Sequence, residues 1–465
     1  MAGIFTFADV DGDLVTVQTS HGTDAMLASA LTLVPAGGAG RFQVTQVSLN
    51  DPALAGTRLT ITARAGASGG DGQVNVGFIT SNFDLGSITV GGDLASIRAG
   101  DRNAATPGVA ALTVASIGRF GAGAGASTGA IIVGALPSLR VSGDVLTSRV
   151  YVGGRAADVQ IGGSIVGSRP WDGFQAASIG RIVVGGSIRG GVGNISGCIA
   201  SDGTIDEVVI GGSLEGGDGR SSGMVKGSGI GIVRIGGSLF GGQGQESGSV
   251  FSEGSAGIAR LSVGSTLKDG LRGGKGTWSG AIKSEGSIGS IVVSGSVLGG
   301  SGGFSGHMTG QHIGSIDIGG EVVGGLGPAS ASIVAVGRLG ALCVKSIFAG
   351  FGPQSAAVMG RLLGDIVVRG DIRGSARQPL WITGVGASTS TGPRAIESLS
   401  VGGSMSGTLV LGGWLGSTPQ NGAARIGAVA VKGSMQASSI VAGVQPAVFP
   451  RFGLHLDIPI GGQRG

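Results

Sequence analysis

The decapeptide VVIGGSLEGG at residues 208–217 returns along the chain as IVVGGSIRGG at 182–191, VRIGGSLFGG at 233–242, IVVSGSVLGG at 291–300 and IDIGGEVVGG at 316–325. Fainter copies begin at Ile88, Leu139, Val159, Leu261, Ile366, Leu399 and Val429, and two more, at Leu112 and Leu342, lack one residue. Anchored on the polar residue that follows the glycines, fourteen copies run from Asp93 to Ser434 at intervals of 20 to 33 residues, about 26 on average, which is the spacing of stacked-repeat folds. In each copy two aliphatic residues flank one variable residue, as in Ile316, Asp317 and Ile318, so both aliphatics fall on one face of a strand. The glycines then predict a sharp bend, with positive φ angles and close backbone approach, before a second short strand. A third patch follows, clearest in Cys198-Ile199-Ala200, Met224-Val225-Lys226, Ser249-Val250-Phe251 and Ala281-Ile282-Lys283, again with an aliphatic at its centre. Three strands per repeat predict an all-β chain: a parallel β-helix, or β-solenoid, of about 14 coils. A single coil buries too little to fold alone, so neighbours must stack and the ends need caps.

Composition supports this reading. Gly supplies 101 of 465 residues, which disfavours helices. The 13 prolines and the absence of a Gly at every third position exclude collagen. Hydrophobic residues make up 41% and charged residues only 12%, too apolar for disorder. No run approaches 18 apolar residues, so no membrane-spanning segment is expected. Scarce aromatics, with a single Tyr, argue against an outer-membrane barrel. The net charge of +4 comes from scattered cations without clusters, so nucleic acid is not an expected partner. Cys198 and Cys343 form neither a metal motif nor an essential staple. The first residues alternate, with no basic start and apolar core of a secretory signal.

The domain reading is a β-rich amino-terminal cap over 1–80, repeats over 81–440, and a terminal cap or tail over 441–465, where Pro446, Pro450 and Pro459 interrupt the pattern. Within the first cap, Phe5, Phe7 and Val10 precede Asp11-Gly12 and Leu14, Val15 and Val17 follow, which predicts a hairpin with a tight Asp-Gly turn. Further strands are expected from Arg41, Thr57 and Gln73.

The head FTFADVDGDLVTV at 5–17, followed by DLGSITVGGDLASIRAGD at 84–101 and the GGS-type coils, resembles large exported bacterial proteins that join such a head to Gly-rich β-helix repeats. The resemblance spans nearly the whole chain. It implies an extracellular or cell-surface location and self-association or adhesion, and carries no catalytic motif.

Candidate chemistry is sparse. Asp9, Asp11 and Asp13 invite a calcium reading, but a calcium loop of the D-x-D-x-D-G type places its Gly after the third acid, whereas Gly12 falls where a hairpin turn wants it. No cofactor is expected otherwise. Gly-Gly-x-Gly begins at Gly190, Gly216, Gly241, Gly273, Gly299 and Gly324, yet the sixth position, Asp in calcium-binding rolls, holds Ile195, Ser221, Glu246, Trp278, Phe304 and Ala329. Turn geometry accounts for these glycines. Glu253 and Glu285 occupy equivalent places, with Asp202 two coils before Glu253 and Lys283 nearby, so a polysaccharide lyase or hydrolase, or a carbohydrate-binding protein, is the alternative to a non-enzymatic rod. Solvated turn acids are the plainer account. His307 and His312, five apart, belong to opposite strand faces; His21 and His455 stand alone. Arg369-Gly370-Asp371 spells a cell-adhesion tripeptide but lies in repeat register at a bend. The variable residue of the first strand is apolar at Val183, Val209, Val292, Cys343 and Val367, against Thr89, Arg140 and Asp317 elsewhere. That column is a partner face if strand propensity alone does not explain its valines. The expected function is structural or adhesive, at a bacterial surface, matrix or filament, with the chain itself, other surface proteins or polysaccharide as partner.

Overall fold

The computed structural model describes residues 2–66, 69–101, 103, 105–120, 129–375, 377–387, 392–445 and 458–459. The protein is all-β, 55% strand and 2% helix, and its strands form a large, mostly parallel sheet. It divides into two compact units, Met1–Gly212 and Ser213–Gly465. Among the described residues no helix is long and apolar enough to cross a membrane.

In the first unit, β1 (Gly3–Ala8) and β2 (Leu14–Thr19) form the expected antiparallel hairpin. The turn is longer than a two-residue Asp-Gly turn: Asp9 N–H donates to the Asp13 carbonyl at 2.9 Å, which leaves Val10, Asp11 and Gly12 as its tip, with Gly12 at φ 104°. A short helix, α1 (Asp24–Ala30), had no counterpart in the strand reading; Thr23 caps it by accepting the Met26 N–H at 3.3 Å. Then come β3 (Leu31–Pro35), β4 (Phe42–Ser48), β5 (Leu59–Arg64), β6 (Val76–Thr80) and β7 (Leu85–Ala99). The strands expected from Arg41, Thr57 and Gln73 are β4, β5 and β6. Pairing changes from antiparallel (β1 with β2, β2 with β5, β3 with β4) to parallel (β4 with β6, and both β5 and β6 with β7). Residues 2–80 therefore share a sheet with the first repeats, and the unit boundary falls at Gly212, inside a repeat.

Within each unit, from β7 onward, the described repeats pair in parallel with their neighbours, and the aliphatic positions stay in register. In the first unit Ile88, Leu112, Leu139, Val159, Ile182 and Val208 are successive partners, each fully buried. In the second unit Val233, Leu261, Ile291, Ile316, Leu342, Ile366 and Leu399 form an equivalent column of their own, followed by the half-buried Val429. A second column runs Leu239, Leu271, Val297, Val322, Ile347, Ile372 and Met405, and a third Val225, Val250, Ile282, Met308, Ile333, Val358, Ile382 and Val410. Each burial removes a whole aliphatic side chain from water, worth about 1.5–3 kcal/mol. The copies at Leu112 and Leu342 absorb their missing residue as register shifts, between Val90 and Asp93 and between Ile318 and Glu321 of the preceding strands.

Two details depart from expectation. The copy at Leu261 does not continue through Thr266 and Leu267: residues 264–269 form an outward loop, held by the Asp269 carboxylate on the Thr266 N–H and hydroxyl, and the second strand resumes at Leu271–Arg272. Leu267 is accordingly 75% exposed. Apart from Gly264 at φ 88°, the described glycines at the bend after the first strand are not at positive φ; at Gly185 the constraint is space, because a Cβ would overlap the carbonyl oxygen of Gly162 one repeat earlier. Left-handed residues occur instead in the following loop, including bulky ones: Trp278 at φ 61° and Phe304 at φ 55°.

In several repeats the polar anchor has a recurring partner. Its side chain accepts the backbone N–H of the next repeat's anchor: Ser164 on Asp144 at 2.6 Å, Ser187 on Ser164 at 3.1 Å, Ser238 on Ser213 at 3.1 Å, Glu321 on Ser296 at 3.0 Å and Ser404 on Asp371 at 2.8 Å. A second set bridges the Gly-rich loop. Ser196, Ser222, Ser247, Ser279, Ser305, Ser330 and Ser355 are buried and accept from the Gly at the second position of their own loop at 2.8–3.0 Å. Small hydroxyls thus satisfy backbone groups that the bends take out of the strand ladder.

Candidate functional site

The three acids at the hairpin tip come together. One carboxylate oxygen from each of Asp9, Asp11 and Asp13 lies within 4.8 Å of the other two. Asp9 Oδ1 accepts the N–H groups of Gly12 at 3.1 Å and Asp13 at 2.8 Å. From sixty residues away the 70–72 segment closes over the tip: Asp71 N–H donates to Asp11 Oδ2 at 3.2 Å and Gly72 N–H to Asp13 Oδ2 at 2.6 Å. Asp9 and Asp13 are buried, whereas Asp11 is exposed. Burial first, and then the hydrogen-bonded Asp11 carboxyl, push Asp9 up to about 6; the same bond pulls Asp11 below the ordinary carboxylate range. Beside them is an open cavity of about 240 Å³ lined by Asp9, Asp11, Asp71, Gln73 and Asn75.

Glu253 and Glu285 do follow paired residues of adjacent strands, Ser252 and Ser284, and both are exposed. Glu253 is paired with Lys226 at 2.7 Å. Lys283 is turned to aromatic faces, 4.3 Å from the Phe251 ring centre and 5.6 Å from that of Trp278. Asp202 is an exposed residue of the first unit.

Along the variable column, Val183 pairs with Val209 in the first unit. In the second unit the order is Ser262, Val292, Asp317, Cys343, Val367, Ser400. Asp317, paired with Arg369 at 3.6 Å, separates the 44%-exposed Val292 from Cys343 and Val367. The apolar positions are therefore two short pairs and an isolated Val. Larger exposed groups escaped the sequence reading: Leu326 and Phe351, 65% and 82% exposed, are the third residues of adjacent Gly-rich loops.

The equivalent loops of the two preceding repeats hold an aromatic cluster. Trp278 and Phe304 stack at 4.5 Å with planes 6° apart, and His307 meets both edge-on. His307 is buried, with Nδ1 2.6 Å from the Ser332 hydroxyl, and burial drives its pKa down to about 3. Since the unfolded chain takes up this proton near pH 6.5, the neutral His307 contributes stability that is present above pH 6.5 and lost as pH falls toward 3. Melting across that window should show His307→Gln with a shallower loss than the wild type; parallel curves would contradict the assignment. His312 is engaged separately, accepting the Arg338 N–H at 3.0 Å, and His21 Nδ1 lies 3.1 Å from the Ala55 carbonyl. His455 lies outside the described residues. Asp371 of the Arg-Gly-Asp tripeptide is an anchor residue, held below the ordinary carboxylate range by the Ser404 N–H and by Arg373. Cys198 is buried, its thiol pushed up to about 12 by desolvation.

No known protein family, curated protein or solved structure matches this chain.

Proposed function

We propose that the chain is a parallel β-helix, a β-solenoid capped at its amino-terminal end, and that it acts without catalysis as a structural or adhesive rod of a bacterial surface, matrix or filament. The fold reading is supported by three aliphatic columns that keep register from repeat to repeat. The functional reading is carried by one observation: Leu326 and Phe351 project large apolar side chains into solvent from adjacent loops, while the neighbouring serines are taken up by backbone hydrogen bonds. Apolar groups on adjacent loops of a stiff repeat are suited to docking another copy or another surface protein. Sedimentation velocity and electron microscopy test this. The wild type should form end-to-end or lateral assemblies, and Leu326→Ser with Phe351→Ser should return it to monomers. A concentration-independent monomer, or release of unsaturated sugars from a polyuronate panel, would refute it.

A further inference from the structure

We propose that Asp9, Asp11 and Asp13 bind one calcium ion at the tip of the first hairpin. Three carboxylate oxygens within 4.8 Å of one another match the span that a single calcium bridges with bonds of about 2.3–2.6 Å. The second observation is independent of that clustering. Asp13 is fully buried, and although its Oδ2 is held by Gly72, its Oδ1 has no hydrogen-bond partner. A buried carboxylate oxygen without a donor is costly, and a cation removes that cost.

The surroundings are built to keep this oxygen enclosed. It lies under the backbone of Gly70, where any Cβ would overlap it. Among the described residues none of the three acids is in an ion pair; the nearby Arg41 guanidinium donates to the Val10 carbonyl at 3.3 Å. The cavity beside Asp9 and Asp11 supplies an entry path and room for water to complete the shell. Three protein carboxylates on a short turn suit calcium, which tolerates irregular oxygen shells, better than magnesium, which demands a near-ideal octahedron and keeps most of its water. The spacing is not that of the D-x-D-x-D-G loop because the 70–72 segment, rather than a continuing loop, closes the site. Calcium there would fasten the hairpin tip to the chain that leads into β6 and β7.

Calorimetric titration of the chelator-treated full chain with calcium chloride tests this, with thermal melting in parallel. One calcium per chain and a raised melting temperature are expected, with magnesium giving neither. Asp11→Asn, at an exposed position and with circular dichroism to check that the fold is kept, should weaken binding by at least about tenfold and abolish the melting shift. Absence of calcium-dependent heat in the wild type at millimolar calcium, or unchanged affinity in Asp11→Asn, would overturn the assignment.

Discussion

Gly276→Ala is expected to destabilise the second unit by about 3 kcal/mol or more, because the new methyl has nowhere to go. Gly276 has an ordinary φ, so its backbone does not require glycine; its neighbour does. A Cβ at Gly276 would overlap the carbonyl of Gly244, one repeat earlier, and the same holds for Gly302 against Gly276, Gly327 against Gly302 and Gly352 against Gly327. These loops are drawn together by backbone hydrogen bonds, Gly276 N–H to the Gly242 carbonyl at 3.1 Å and Gly302 N–H to that of Gly274 at 3.1 Å. Relieving the overlap means breaking them and parting two repeats, and in a nearest-neighbour stack that loss spreads to both sides. Gly306→Ala is the internal comparison. Gly306 is at φ 69°, a Cβ there would come no nearer than 2.8 Å to the Leu298 carbonyl oxygen, and the equivalent places hold Ala331 at φ 54° and Ala356 at φ 56°, so a methyl is taken up with a small shift at a left-handed cost of about 1–2 kcal/mol. Denaturant melts should rank Gly276→Ala well below Gly306→Ala; equal losses would mean that conformation, not spacing, governs these glycines.

That distinction marks where the sequence could be read and where it could not. Ile316 and Ile318 announce a buried strand face by alternation alone, and their partners Leu342 and Val344 follow from the period. The anchor serines were visible as a recurrence, but their role was not, since Ser238 and Ser213 are twenty-five residues apart and meet only when repeats stack. Thr266 was mistaken for an anchor because a six-residue excursion preserves the local letters while displacing the register to Leu271. Left-handed Trp278 and Phe304 defy local propensity, which assigns such angles to Gly or Asn; stacking of two adjacent loops stabilises them. At the hairpin tip Asp9, Asp11 and Asp13 are adjacent in sequence, whereas the contribution of Gly70, Asp71 and Gly72 depends on a sheet that forms only in the folded chain.

Trp414→Ala is expected to cost about 3–5 kcal/mol and to expose apolar surface. The outward position of the third strand runs Lys226, Phe251, Lys283, Thr309, Val334, Met359, Thr383, Leu411, so it turns from charged to apolar toward the carboxy-terminal repeats. There the chain covers its own face. Two long intervals in the repeat, Asp371 to Ser404 and Ser404 to Ser434, contain extra residues. In the second of them the hairpin of Trp414–Leu415 with Thr418–Pro419 folds over the sheet. Trp414 is 2% exposed among Met359, Trp381, Leu409 and Leu411, its Nε1–H donates to the Val444 carbonyl at 3.1 Å, and Gly416 N–H ties the hairpin to the Thr383 hydroxyl at 3.1 Å. Removing the indole leaves a cavity under the hairpin and strips the Val444 carbonyl of a donor. Trp414→Phe keeps most of the packing and loses the hydrogen bond, at about 1 kcal/mol from that bond. Trp171, 48% exposed with Arg149 over its ring, provides the opposite case, and its Ala variant should cost about 1 kcal/mol or less. If Trp414→Ala melts like Trp171→Ala and binds no more of a hydrophobic dye than the wild type, the hairpin is not what shields this face.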